Sequence, residues 1–186
     1  PPHLQSRRRR HRLMDDPSVC IKRPGVSGAF FLRENSIKDL PVEAAAQAGA
    51  GLFYLGYLNL LGALDALLDG QTGAARVLAR ARAAGMVTCV DLVSKAGPDF
   101  AAVVAASLPQ IDYLFLNEVE AALATGIEIA GPDDQIGIGQ AAQALLAAGV
   151  NRAVIIHTPS LGLWAGHGGM VTRLPDPATL IVNPLG

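Results

Sequence analysis

The chain alternates short apolar runs with longer stretches in which apolar residues recur every three or four positions. Gly51–Tyr57 (GLFYLGY), Met86–Val93 (MVTCVDLV), Ile111–Leu116 (IDYLFL) and Arg152–His157 (RAVIIH) have the length of strands and carry little charge. Runs of this kind are expected where a strand is buried on both faces of a parallel sheet. Ser27–Arg33 (SGAFFLR), set between Pro24-Gly25 and Glu34-Asn35, reads as a further short strand.

Between these runs the pattern is helical. A short helix is expected from near Pro41. Thr72 is placed to cap a helix reaching Ala84, with Val77 and Leu78 on its apolar face, Arg76, Arg80 and Arg82 elsewhere, and Gly85 at its end. Pro98–Leu108 is helical in pattern, and Asn117 to Glu120 leads into a helix through Ala124. Residues 131–139 read as a loop, and Asp133 to Gly149 contains an amphipathic helix. Leu161–Ala165 and Met170–Arg173 flank His167-Gly168-Gly169, which predicts a hairpin on a glycine turn. Three strand–helix units in succession call for right-handed crossovers, hence a parallel sheet with helices on both faces. A plain Rossmann domain would not need the terminal hairpin.

Composition agrees with this α/β reading. At 186 residues the chain suffices for one domain with a buried core, and 51% hydrophobic with 5% aromatic residues suits Ala-rich helices over Val, Ile and Leu strands. Cys20 and Cys89 lie far apart with neither CxxC nor CxH spacing, so no zinc site or disulfide framework is expected, and a reducing cytoplasm is the simplest setting. Cys89 reads as a small core residue.

The net charge of −1 conceals an asymmetry, because Arg7, Arg8, Arg9, Arg10 and Arg12 stand in a segment without acids. The remaining chain has ten bases against sixteen acids, a net charge of −6. Residues 1–26 are therefore expected to be a disordered or out-of-context arm, and 27–186 the folded part. The acidic body offers no second basic patch, so no nucleic-acid partner is expected. Ala44–Leu64 is uncharged but contains Gln47, Asn59 and four glycines. It reads as helix end, strand and loop rather than a membrane span, and the arginine-rich start is not a secretory signal.

In a parallel sheet, ligands gather at the carboxyl ends of the strands. Asp91, then Asn117, Glu118 and Glu120, then His157 and Thr158 fall there. Asn117 and Glu120, three apart at a strand-to-helix junction, suit Mg²⁺ shared with substrate phosphates. The competing account is that Asn117 merely caps a helix whose first turn favours Glu118 and Glu120. Asp91 is open between a catalytic or substrate-binding role and a structural one. His157, lacking a second His or Cys at ligand spacing, reads as a core or loop histidine, and His167 as an exposed turn residue. Gly137-x-Gly139 is not a dinucleotide fingerprint: it follows an acidic loop, and Ala142 holds the third glycine position.

Taken together, GLFYLGYLNLLGALD, ARAAGMVTCVDLV, IDYLFLNEVEAALATG, AAQALLAAGVNRAVIIH…GLW and LIVNPLG resemble the successive blocks of the ribokinase-like (PfkB-type) carbohydrate kinases over about residues 27–186. The resemblance implies a three-layer α/β/α fold with a mainly parallel sheet, incomplete at both ends, and a β-hairpin near the C-terminus. It implies ATP and Mg²⁺ as cofactors, with Asn117 and Glu120 organising the metal and the transferred phosphate. The segment from His157 and Thr158 to Gly162 takes the place of the family's small-residue loop along the nucleotide phosphates, although Pro159 removes one N–H. Ser27–Arg33 resembles the family's lid strand, with Phe30 and Phe31 as its paired aromatics.

Gly186 matches the first glycine of the family's Gly-Ala-Gly-Asp anion hole, whose Asp is the general base. The implied function is phosphoryl transfer from ATP to a hydroxyl of a sugar, sugar acid or nucleoside by a cytoplasmic full-length parent. That parent is expected to be a homodimer binding no nucleic acid or membrane. This chain alone is expected to be inactive and marginally folded, with an uncovered apolar region. The alternative is a non-catalytic α/β binding or interaction domain derived from such a kinase.

Overall fold

Leu55, Val90, Leu114, Val154 and Ala165 stand side by side across one row of a seven-stranded sheet, each with no solvent exposure. The computed structural model of the chain describes residues 20–22, 40–95, 99–167 and 171–174. Its elements are β1 (Cys20–Lys22), α1 (Val42–Gln47), β2 (Leu52–Leu58), β3 (Leu67–Leu68), β4 (Gln71–Thr72), α2 (Gly73–Ala83), β5 (Val87–Leu92), α3 (Phe100–Ser107), β6 (Tyr113–Asn117), α4 (Glu118–Thr125), α5 (Gln135–Ala147), β7 (Ala153–His157), β8 (Gly162–Gly166) and β9 (Val171–Leu174). The sheet runs β1-β2-β5-β6-β7-β8-β9. Five of its strands share one direction, while β1 and β8 run against them. β3 and β4 form a separate two-stranded ribbon.

The chain steps from β2 to β5, β6 and β7 always toward the same edge. With right-handed crossovers, every connecting helix then lands on the same face. Consistent with this, α1 packs on α2, α2 on α3, α3 on α4 and α4 on α5, forming one continuous layer. Side chains on that face make the core, including Phe53, Leu55, Leu58, Val90, Leu116 and Ile156. The described residues thus supply the sheet and one helical layer of the expected three-layer arrangement.

On the opposite face, one row reads Gly56, Asp91, Phe115, Ile155 and Trp164, and the next begins Tyr54, Cys89 and Tyr113. Tyr54, Tyr113, Phe115, Ile155 and Trp164 are only partly buried, and among the described residues no helix covers them. Cys89 is a buried free cysteine, as expected of a small apolar residue.

Local signals account for the helix boundaries. Thr72 Oγ1 accepts the Ala75 N–H at 3.0 Å and starts α2, and Gly85, at φ +82°, follows its end. Arg80 joins α1 to α2 by donating from Nε and Nη2 to the two Glu43 carboxylate oxygens at 2.8 and 2.6 Å. The Arg80 guanidinium holds the Glu43 carboxyl down at about 2. A depressed carboxyl contributes stability above its unfolded value and loses it as pH falls toward 2.

The loop expected over residues 131–139 is shorter than the sequence suggests. Asp134 Oδ1 accepts the Gly137 N–H at 3.0 Å and starts α5 at Gln135, so Gly137 and Gly139 are helical. A side chain at position 137 would meet the capping Asp134 carboxylate and, at 3.0 Å, the Glu128 carbonyl, which gives this glycine a packing reason. His167 is an exposed turn residue, as expected, and its Nε2 also lies 2.8 Å from the Val150 carbonyl oxygen.

The hairpin forms as expected, from β8 and β9. Its turn, the Ser27–Arg33 strand with Phe30 and Phe31, and the segment ending at Gly186 lie outside the described residues. Within the expected arm of residues 1–26, Cys20–Lys22 pairs antiparallel with β2, so that stretch is part of the sheet.

The two faces predict different costs of substitution. Leu114→Ala, on the helix side, is expected to cost about 2–5 kcal/mol in urea unfolding. Phe115→Ser is expected to cost much less while reducing binding of a hydrophobic dye, and Trp164, the single tryptophan, should be quenched readily by acrylamide. Equal destabilisation by the two variants would show that the second face is packed.

Candidate active site at the carboxyl edge of the sheet

β5, β6 and β7 are parallel and in register, so their carboxyl ends bring Asp91, Asn117 and His157 to one edge. Asn117 and His157 are paired across neighbouring strands. Glu118 occupies the first turn of α4, partly exposed.

The sequence left Asn117 and Glu120 open between capping and metal binding, and their geometry is that of a complete capping box. Asn117 Oδ1 accepts the Glu120 N–H at 2.8 Å, while Glu120 Oε2 accepts the Asn117 N–H at 2.8 Å. Both side chains therefore stand on the same side of the junction. Glu120 is only 3% exposed, and a carboxylate so enclosed persists only when well bonded. Its other oxygen, Oε1, accepts from Ser94 Oγ at 2.8 Å, and Asn117 Nδ2 donates to the same hydroxyl at 3.0 Å. Ser94, in the loop after β5, was missed in the sequence because its partners lie 23 and 26 residues away.

Asp91 is on the open sheet face, where Tyr54 donates to its Oδ2 at 3.0 Å. The Tyr54 ring reaches it across Gly56, the β2 residue paired with Asp91. A Cβ at Gly56 would lie 2.9 Å from Tyr54 Cε1, so this close approach requires glycine. Burial pushes the Asp91 carboxyl up, and the nearby Glu120 charge adds to this, whereas the Tyr54 bond and His157 oppose it. Burial, with the charge of Asp91, likewise pushes the Tyr54 hydroxyl upward.

The turn from His157 to Gly162 is closed on itself. Thr158, buried, accepts the Ser160 and Leu161 N–H groups on Oγ1 at 3.1 and 3.0 Å and donates its own N–H to the Leu161 carbonyl at 2.8 Å. Pro159 has no N–H. Residues 158–161 thus keep no backbone donor for a phosphate, while exposed His157 and buried Gly162 flank the turn.

A family model for pfkB carbohydrate kinases matches residues 56–186. The chain belongs to the pfkB family of carbohydrate kinases. No match is found among curated proteins. Among solved structures, a pyridoxal kinase from Staphylococcus aureus in complex with AMP-PCP aligns at TM-score 0.56 and 17% identity over 83% of this chain and 56% of its own. A phosphomethylpyrimidine kinase from Clostridium difficile 630 aligns at 0.55 and 15%, over 83% and 66%. The tetrameric inhibited form of phosphofructokinase-2 from Escherichia coli aligns at 0.53 and 18%, over 80% and 44%. These identities speak for a shared fold, that of the ribokinase-like kinases. The chain spans 44% to 66% of the length of these three solved kinases.

In this chain of the pfkB family, the donors at the strand ends decide which metal fits. Among the described residues no three His, Cys, Asp or Glu side chains converge, so no all-protein metal cage is formed. What remains is one buried carboxylate and one amide, both hard oxygen donors. Mg²⁺ suits such a set, because it binds through one or two carboxylates and completes its octahedron with water and substrate phosphates. Each Glu120 oxygen uses one lone pair for its hydrogen bond and keeps another. Among the described residues no helix is long and apolar enough to cross a membrane.

The raised Asp91 carboxyl predicts a pH effect. A folded carboxyl that holds its proton more tightly than the unfolded one, at about 3.9, contributes stability below that value and loses it as pH rises through the folded value. Asp91→Asn should therefore flatten the stability curve and stabilise the chain at pH 7 relative to the native residue. Urea unfolding from pH 4 to 8 checks this, and parallel curves for the two proteins would contradict it.

Proposed function

We propose that this chain forms part of a magnesium- and ATP-dependent kinase that transfers the γ-phosphate to a hydroxyl of a sugar, sugar acid or nucleoside. The observation carrying this reading is the Asn117–Glu120 pair, held on one side of a strand-to-helix junction beside Asp91 and His157. Asn117 and Glu120 would hold the metal, which when bound neutralises charge on the transferred phosphoryl group. The AMP-PCP complex of the Staphylococcus aureus pyridoxal kinase supports ATP as the donor. His157 and Gly162 remain the nucleotide contacts at the β7–β8 turn, because the Thr158 groups are already engaged there.

A hydroxyl acceptor is supported at the exit of β2. Asn59 Nδ2 and Asp65 Oδ1 are buried with no hydrogen-bond partner among the described residues. A hydroxyl can accept from the Asn59 amide and donate to the Asp65 carboxylate. An oligomeric parent, with a homodimer as its simplest closed form, and a cytoplasmic setting belong to the same proposal.

A second reading, a non-catalytic domain derived from such a kinase, is favoured by the closed turn at residues 158–161. The two readings separate in assays of the 186-residue chain. ATP–Mg²⁺ should raise its unfolding temperature by ligand linkage, and Glu120→Gln, which keeps the cap but removes the charge, should abolish the shift. Transfer to a panel of sugars, sugar acids and nucleosides should be at least about 10²-fold below the usual kinase range of about 1–100 s⁻¹. Neither Asp91 nor Glu120 is a free base: Asp91 is bonded to Tyr54, and Glu120 is buried with both oxygens bonded. Binding of ATP with no transfer above the Glu120→Gln level would favour the second reading, and no binding would refute the proposal.

A further inference from the structure

We infer that Ser94 is a positioning residue for the metal pair, setting the direction in which the Glu120 carboxylate faces a magnesium-bound phosphate. This rests on the reading of Asn117 and Glu120 as the metal-holding residues.

The directions of the hydrogen bonds follow from the chemistry of the groups. Asn117 Nδ2 can only donate, so Ser94 Oγ accepts from it at 3.0 Å. The single Ser94 proton is then left for Glu120 Oε1 at 2.8 Å, which as an ionised oxygen can only accept. With Oε2 held by the Asn117 N–H and Oε1 by Ser94, the carboxylate is pinned at both oxygens. Its plane, and so the direction of its remaining lone pairs, is fixed.

These bonds are surplus to the helix. The capping box is complete through Asn117 Oδ1 and Glu120 Oε2, neither of which touches Ser94. Ser94 is also exposed, so losing its hydroxyl opens no cavity in the core. What it adds is a link between the loop leaving β5, three residues after Asp91, and the start of α4. Hydrogen-bond partners behind metal-holding groups commonly govern affinity by about 10–100-fold.

The test titrates the full chain with Mn²⁺ alone, as a stand-in for Mg²⁺, following free Mn²⁺ by its paramagnetic resonance, with urea unfolding in parallel. Ser94→Ala should weaken binding by about 10-fold while lowering the unfolding midpoint only modestly, because Glu120 keeps its bond from the Asn117 N–H. Ser94→Thr, which retains the hydroxyl, should restore binding, as a bulk effect of the loop would not. Ser94→Ala binding like the native chain, or Ser94→Thr as weak as Ser94→Ala, would overturn the inference while Glu120→Gln still lost the metal. If Glu120→Gln bound Mn²⁺ as well as the native chain, the metal assignment of the pair would fall, and the role of Ser94 with it.

Discussion

The parallel pairing of β5, β6 and β7 is the constraint on which the site depends. Because the three strands run together in register, Asp91, Asn117 and His157 meet at their carboxyl ends although successive members are 26 and 40 positions apart in the chain. Hydrophobic burial holds that register. The row from Leu55 to Ala165 has no solvent exposure, and slipping one strand by a residue would send its core side chains to the other face. Asp91, Asn117 and His157 are thus placed by apolar neighbours rather than by one another.

The same local interaction serves two purposes at the start of α4. A helix beginning at a strand end must satisfy its first N–H groups, and Asn117 and Glu120 do so reciprocally. In satisfying them, the pair also holds an amide and a carboxylate at the mouth of the sheet with little freedom to move. Capping and a metal-holding role are therefore compatible readings, since each carboxylate oxygen retains a lone pair. The buried carboxylate is tolerated because three hydrogen bonds run between it, Ser94 and Asn117.

The two sheet faces have different chemistry. The helix-covered face is wholly apolar apart from its margins, whereas the open face mixes Tyr54, Tyr113, Phe115, Ile155 and Trp164 with Asp91. A carboxylate on a partly buried aromatic face is poorly solvated, which raises its proton affinity. Asp91 is in consequence tied to Tyr54 rather than free in the crevice.

Much of the fold was legible in the sequence. The apolar runs marked β2, β5, β6 and β7, and Thr72 and Gly85 marked the limits of α2, because strand burial and helix capping depend on neighbours within a few positions. The boundary of α5 was less so, since two glycines suggest a loop unless the Asp134 cap is known to be engaged. Asn117 and Glu120 were legible as a pair because they are three residues apart. Ser94 and Tyr54 were not, because each meets its partner only across the sheet, and register between strands is set by the packing of the whole core. Local spacing was enough for β2, β5, β6 and β7, for most of the helices, for the family resemblance and for the strand-end candidates, but not for β1 or the β3–β4 ribbon. That Glu120 is pinned from the loop after β5 and that Asp91 is bonded to Tyr54 emerge only on folding, since hydrogen bonds between distant segments exist only then; the spent donors of the 158–161 turn depend on its local backbone conformation.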